Sequence, residues 1–277
     1  MQVFFCFFQL LFIFYEYFIR SDSPLRAFLF TGDEIRSILF LVRCSDLTHP
    51  TDKLWRFLMI RFTDVQNSAK VRTYIQGADE TLGALGFTDH GLGHVTKVAT
   101  EARDILLTMG YSEREAEIAQ IAGFLHDIGN IINRVAHAQS GALLAFHLLE
   151  ELGADPGDIA TIITAIGNHD EKTAAPVNPT CAAVILADKG DVRMSRVRNL
   201  DLATFDIHDR VNYAVKQSSL TISEDKTVID LNLTIDTEQC AVMDYFEIFL
   251  TRMSLCSKAA TKLDLKFALT INGQQLL

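Results

Sequence analysis

No two cysteines in this chain are spaced as C-x-x-C, although five are present: Cys6, Cys44, Cys181, Cys240 and Cys256. An odd number at wide intervals excludes both a paired-thiolate zinc site and a disulfide framework, and predicts reduced, mostly buried thiols in a cytoplasmic protein. A basic surplus is also missing. The formal net charge of −10 excludes a surface dedicated to nucleic-acid polymers, which requires a basic stripe. It leaves room for small phosphate esters, because a bound cation attracts them locally. Internal repeats are absent, and so is low-complexity sequence outside the first sixty residues.

What is present is enough apolar material for a core: 49% hydrophobic and 22% charged residues over 277 positions, the balance of a globular chain. Its distribution is uneven. Twelve of the 19 phenylalanines fall within residues 1–62, and "VFFCFFQLLFIFYEYFI" is interrupted only by Gln9 and Glu16. That run approaches the roughly 17–25 residues that span a bilayer. It has neither the basic flank nor the small-residue cleavage site of a signal peptide. Two expectations follow for residues 1–62: a membrane anchor over residues 1–20, or an over-extended reading frame whose biological start is Met59.

Residues 63–217 carry a helical period. In "HGLGHVTKVATEARDILLTMG" the residues Leu92, Val95, Val98, Ala99, Ala102, Ile105, Leu106 and Met109 form one stripe, closed by Gly110. Ser112 and Glu115 have capping-box spacing and open a helix expected to stop near Gly129. A third helix is expected over 135–152. Asp155-Pro156 starts a fourth, as a cap followed by proline. "TAAPVNP" is a loop, and a fifth helix begins near Pro179 and carries "CAAVILADKGDVRMSRV".

Residues 218–277 form a separate α+β subdomain by pattern. "TVIDLNLTID" alternates Ile229, Leu231, Leu233 and Ile235 with polar residues, as a half-buried strand does. "TEQCAVMDYFEIFLTRMSLCSKAATKL" has an amphipathic helical pattern, and "LDLKFALTI" is a second alternating strand. The expectation is one helix covering a short antiparallel sheet whose exposed edge invites homodimerisation.

Polar residues with ligand chemistry are concentrated in the helical part. His90 and His94 stand at i,i+4, which places both on one helix face. His126-Asp127 interrupts the apolar stretch "IAGFLHDIGNII", where an uncompensated charge would cost several kcal/mol or lose its proton balance. His137 opens the third helix, His169 follows the fourth, and Asp188 lies in the fifth. Facing helices of a bundle build metal sites from such inward side chains. Imidazole and carboxylate donors without thiolate suit Fe, Mn, Co, Ni or Zn. His147 has no such company and is assigned to packing or surface; His49 and His208 are assigned to the surface.

The ordered set His94, His126-Asp127 in "LHDIG" and Asp188 in "ILADK" resembles the HD superfamily of metal-dependent phosphohydrolases, over roughly residues 85–198. The resemblance implies a mainly α HD-domain bundle. His137 in "AHAQSGALL" and His169 in "AIGNHDEK" match the family's second-metal ligands, with His90 as a further candidate. It therefore implies two divalent transition-metal ions: one held by His94, His126, Asp127 and Asp188, the other by Asp127, His137 and His169. The G-Y-P signature of the cyclic-di-GMP phosphodiesterases is missing, and Asn130 stands where that branch often has lysine. "AIGNHDEK" with "VILADKGDVR" is locally similar to the symmetrical diadenosine tetraphosphate hydrolases.

Such ions would share an activated hydroxide and aim it at phosphorus, with Asp127 central to catalysis. The implied function is phosphohydrolase or phosphodiesterase action on a nucleotide or another small phosphate ester. Lys189 and Arg193, at i,i+4 on the helix of Asp188, are expected to meet the phosphate, together with Arg134; Lys97 and Lys172 are further cations in range. Two other classes share the fold: mixed-valence di-iron oxygenases with the same six ligands, and non-catalytic signalling modules, which lose the His-Asp pair.

Overall fold

The computed structural model describes residues 59–199 and 201–277. The Phe-rich stretch, Cys6, Cys44 and His49 lie outside them, as does the expected anchor. Among the described residues no helix is long and apolar enough to cross a membrane.

The chain is mainly α, with a small mixed sheet near its C-terminus. Helices α1 (Phe62–Asn67) and α2 (Ala69–Ala84) come first, and Ser68 Oγ caps α2 by accepting from Val71 N. Helix α3 (Leu92–Met109) buries His94, Val95, Val98, Ala99, Ala102, Ile105 and Leu106, and ends on left-handed Gly110 at φ 92°. This is the expected stripe, with Leu92 and Met109 at its half-buried margin. His90 is not on this helix: α3 begins after Gly91, so the i,i+4 face expected for His90 and His94 does not exist.

Helix α4 (Glu113–Leu125) opens with the expected capping box, in which Ser112 N donates to Glu115 Oε2 and Glu115 N to Ser112 Oγ. It ends sooner than expected. His126 is its last helical-geometry residue, Asp127 turns to φ −97°, ψ 3°, and a 3-10 turn follows over Ile128–Ile131. Neighbouring residues of a regular α-helix diverge around its axis. The change of winding at Asp127 is what lets His126 and Asp127 face one another.

Two glycines make the close packing here possible. A Cβ on Gly123 would lie 3.0 Å from Ala99 Cα, so α3 and α4 touch backbone to backbone. A Cβ on Gly129 would overlap the His137 carbonyl oxygen and the Gly141 nitrogen. Helix α5 (His137–Glu151) is therefore seated directly on the turn after Asp127. Its preceding residue, Ala136, sits at φ 58°, a left-handed strain that non-glycine residues tolerate where the surroundings enforce it.

Helix α6 (Pro156–Gly167) begins at the Asp155 cap and Pro156, as the sequence predicts. Helix α7 (Pro179–Gly190) is capped by Asn178, whose side chain accepts from Cys181 N; every residue from Thr180 to Gly190 is buried. A helix apolar all round belongs in the middle of a fold. Here α7 stops at Gly190 with Asp191 as its cap, so Arg193 lies beyond it and does not share a helical face with Lys189.

Short turns (Met194–Arg196, Leu202–Thr204) lead to α8 (Ile207–Ala214), then β1 (Val215–Ile222), β2 (Val228–Ile235), α9 (Val242–Lys262), β3 (Lys266–Ile271) and β4 (Gln274–Gln275). The sheet order is β1-β2-β3-β4. β2 alternates as predicted, burying Ile229, Leu231, Leu233 and Ile235. The antiparallel pairing expected for the two predicted strands is wrong. β2 and β3 run parallel, Ile229 opposite Phe267 and Leu233 opposite Ile271, because α9 is a crossover between them. The antiparallel partner of β2 is β1, which the sequence pattern did not reveal. One hydrophobic core runs from Ile60 through α7 to Ile271, joining the helical part and the sheet.

Gly129→Ala is expected to lower unfolding free energy by about 3 kcal/mol or more, the upper range for forcing atoms into a filled core. Urea denaturation measures this, and a loss below about 1 kcal/mol would refute the seating of α5 on this turn.

Candidate metal centre

The six expected ligands come from five places in the bundle and converge. His94 comes from α3, His126 and Asp127 from the end of α4, His137 from the start of α5, His169 from just beyond α6, and Asp188 from α7. All are buried, the two carboxylates retaining 5% and 8% exposure.

Asp127 lies at the centre. Its Oδ2 is 3.1 Å from His126 Nε2 and 3.8 Å from His94 Nε2. Its Oδ1 is 3.5 Å from His137 Nε2 and 3.6 Å from His169 Nε2. Asp188 Oδ1 completes the first side, 3.4 Å from His94 Nε2 and 3.6 Å from His126 Nε2. Three overlapping donor groups result: His94, His126 and Asp127; His126, His169 and Asp188; and Asp127, His137 and His169. Asn130, buried in the 3-10 turn, donates Nδ2 to Asp127 Oδ1 at 2.9 Å and to the Asp127 carbonyl, fixing the carboxylate's angle.

Each imidazole is oriented from behind. Nδ1 of His126 donates to Gly123 O, that of His137 to Arg134 O and that of His169 to Ile166 O, at 2.7–3.0 Å. His94 Nδ1 lies 2.8 Å from Asp191 Oδ2. With Nδ1 committed as a donor, each Nε2 presents a lone pair to the centre.

That arrangement fits a cation. Nε2 of His94 and of His126 are buried without a hydrogen-bond partner. Nε2 of His137 and His169 face each other at 3.2 Å, with Arg134 Nη1 donating to the first at 3.1 Å. Burial lowers His126, but Asp127 and Asp188 outweigh it and raise its pKa to about 10. Without a metal these two carboxylates therefore draw a proton onto His126; a divalent ion satisfies the same charge and the orphaned lone pairs together. His137 moves the other way, to about 4, chiefly through burial, so it is neutral and ready to ligate.

His90 lies beside the centre, its ring 5.4 Å from that of His94, with Nδ1 on Thr88 O. Burial holds its pKa well below the ordinary value. It belongs to none of the three donor groups but lines the cavity beyond them.

That cavity has a volume of about 730 Å³ and opens onto Asp127, His137, His169 and Asp188. Lys189 lines it, its Nζ 2.6 Å from Asp188 Oδ2. Arg134 lines it too, donating Nη1 to His137 Nε2 at 3.1 Å and lying over the Phe87 ring. Lys172 is on the wall, as is His208, whose sequence context gives no sign of a place beside the site. Arg193, expected to meet the phosphate, is not among the residues that line the cavity; its Nε donates to Asp191 Oδ1 at 2.8 Å. Lys97 pairs with Glu101, and His147 stands exposed on α5 beside Phe146.

Sequence reasoning missed Asp191. Fully buried, it receives His94 Nδ1, Arg193 Nε and, at 3.8 Å, Arg196 Nη1. Its signal was present in "ADKGD", a second carboxylate three residues after Asp188, but nothing in the sequence showed that the helix ends between them.

Residues 91–206 match the HD domain family. A stretch of 106 residues is 27% identical to an uncharacterized protein of Methanocaldococcus jannaschii, covering 33% of this chain and 41% of that protein's length. The chain is also similar, at 24% identity, to the crystal structure of a predicted HD superfamily hydrolase from an uncultured Thermotogales bacterium. That match covers 48% of this chain and 75% of the other, with a TM-score of 0.35.

Two outcomes are expected. Asp191→Ala should weaken Mn²⁺ binding about 10–100-fold, as loss of a hydrogen-bond partner behind a ligating histidine does; competition with a chelating dye measures it, and unchanged affinity would sink the assignment. Because the folded-state pKa of His126 is raised to about 10, metal uptake near neutral pH must release its proton. Affinity should then rise about tenfold per pH unit between roughly 6.5 and 8.5. In the chelated protein the same shift stabilises the fold below about pH 6.5, and that stabilisation fades as pH climbs through 10. Metal binding independent of pH would contradict this.

Proposed function

From the HD domain at residues 91–206, we propose that this protein is a metal-dependent phosphohydrolase or phosphodiesterase acting on a nucleotide or another small phosphate ester. The observation that carries the proposal is the division of the Asp127 carboxylate, Oδ2 toward His94 and His126 and Oδ1 toward His137 and His169. It supports two divalent ions, the first with His94, His126, Asp127 and Asp188, the second with Asp127, His137 and His169. When bound, such a pair supplies an activated water and neutralises charge developing on phosphoryl oxygens.

The chain's own residues do the remainder. Asn130 holds the Asp127 carboxylate in place. Lys189 is nearly buried beside Asp188 on the cavity wall, where its ammonium stands ready to meet a phosphoryl oxygen. Arg134, half-buried at the opposite end beside His137, offers a planar donor for the phosphate's other oxygens. The apolar packing behind the ligands, Phe124, Leu125 and Ile128 among it, keeps water away from their backs and fixes their rotamers.

Metal quantification followed by a nucleotide-phosphate screen with Mn²⁺, Fe²⁺, Co²⁺ and Mg²⁺ tests the reading. The wild type should release phosphate, and Asp127→Ala should reduce turnover by at least a thousandfold while also lowering metal content. His169→Ala should lower metal content to about one equivalent. Oxygen uptake without phosphate release would replace this reading by the oxygenase one, and activity that survives the loss of both His126 and Asp127 would end it. We also propose that two chains pair through the outer edge of β1, an eight-residue strand that among the described residues is bonded on one side; a monomer in light scattering overturns that.

A further inference from the structure

The family match ends at residue 206, but the cavity does not. Phe249 and Arg252, both on α9, form part of its wall. Arg252 donates Nε to Glu171 Oε1 at 2.7 Å, and its guanidinium lies 4.3 Å from the centre of the Phe249 ring. Its two Nη groups have no hydrogen-bond partner among the described residues, on a side chain 24% exposed. Glu171 Oε1 is also 3.6 Å from Lys189 Nζ, which in turn lies 2.6 Å from Asp188 Oδ2. A line of alternating charge thus runs from the ligand Asp188 through Lys189 and Glu171 to Arg252.

One carboxylate, Glu171, is shared by two cations in this line, and Asp188 is committed to the metal centre on the proposed reading. The shortfall of negative charge lies inside the cavity, farther from the metal ligands than Lys189 is. An arginine that only pinned α9 to the rest of the fold would need no open donors there. Its planar fork, held over the Phe249 ring, is instead suited to donate to two oxygens of a phosphate.

We propose that Arg252 binds a second anionic group of the substrate, distal to the phosphate that is cleaved. The C-terminal helix is then part of the active site, and the preferred substrates carry a diphosphate or longer chain. This rests on the phosphohydrolase reading for its meaning, although the anion site itself can be measured apart from turnover.

The test is calorimetric titration of the Mn²⁺-loaded full chain, at fixed free Mn²⁺, with methylenediphosphonate and with methylphosphonate, neither of which is hydrolysed. The wild type should bind the diphosphonate at least tenfold more tightly. Arg252→Met should cost about tenfold for the diphosphonate, the size of one charge-assisted contact, and less than twofold for the monophosphonate. Arg252→Lys, which keeps the ion pair with Glu171 and loses the fork, should fall between; it decides alone if the Met variant fails to fold by circular dichroism. Equal losses for both probes, a preference unchanged in the variants, or no preference in the wild type would each overturn the proposal. If the wild type cleaves no phosphate ester yet shows the Arg252-dependent preference, the phosphohydrolase reading fails and the anion site stands. If it cleaves phosphate esters without that preference, the anion site fails and the phosphohydrolase reading stands.

Discussion

Asp127 is a carboxylate buried among four imidazoles, and the surrounding structure is organised by the need to keep it ionised there. Burial pushes its pKa up, but the His126 charge beside it outweighs that and holds it well below the usual carboxylate range. The same field works in reverse on His126, and the pair shares one electrostatic solution: positive charge must sit between them. A proton supplies the smallest such charge. Orphaned Nε2 atoms on His94 and His126, and those of His137 and His169 facing each other, ask for more than one proton provides. A rigid, proton-poor ring of donors is how a protein favours a metal ion over the solvent's own cation.

Rigidity is supplied by backbone. Three of the four imidazoles are fixed by backbone carbonyl oxygens: two lie in the last turns of α4 and α6, which leave acceptors free, and one in the bend before α5. The fourth, His94, lies in the first turn of α3, where no such carbonyl is at hand, and it uses the Asp191 carboxylate. Asp191 is in turn held by Arg193 and by Arg196, whose Nη1 also donates to the Asp191 carbonyl. The absence of side chains at Gly123 and Gly129 brings α3 and α5 onto α4 closely enough for these residues to meet. Small residues here do what larger ones do in an ordinary core, by permitting approach where others would fill space.

The six side chains that cluster here were legible in the sequence because each carries a local mark: a polar residue in an apolar helix, or a motif of fixed spacing. Helix starts were legible for a similar reason, since Ser112, Asp155-Pro156 and Asn178 cap by rules that act within four residues. Helix ends were legible only where a glycine closes the helix, as Gly110 does for α3. The early stop of α4 and of α7 depends on what packs against them, so the face shared by His126 and Asp127 and the loss of Arg193 from α7 could not be read from periodicity. Strand pairing was hidden as well. Alternation marks β2, but whether its neighbour runs parallel depends on the path of α9, and β1 begins directly where α8 ends, without a turn residue between them. Asp191 was marked only as the second carboxylate of "ADKGD", and Glu171 and Arg252 not at all, because the contacts that define them cross 81 to 97 positions of sequence.

The parallel crossover gives the sheet a purpose that its small size does not suggest. A helix joining antiparallel neighbours could lie on either side of the hairpin, whereas a β2-α9-β3 unit fixes both the side and the direction of α9. Leu220 of β1 meets Gly190 where α7 ends, at a distance that leaves no room for a side chain there. Ser218 Oγ bonds the Gly190 carbonyl. The sheet is thereby locked to the helix that carries Asp188 and Lys189, and α9 is locked to the sheet. Movement of Phe249 and Arg252 relative to the metal ligands would have to break that chain of contacts. On the proposed phosphohydrolase reading, an acidic protein with a net charge of −10 repels its substrate at long range and has to attract it locally. Local attraction needs cations held at set positions close to the metal centre. Holding α9 rigid against α7 is how a segment more than fifty residues downstream of Asp188 can supply one of them.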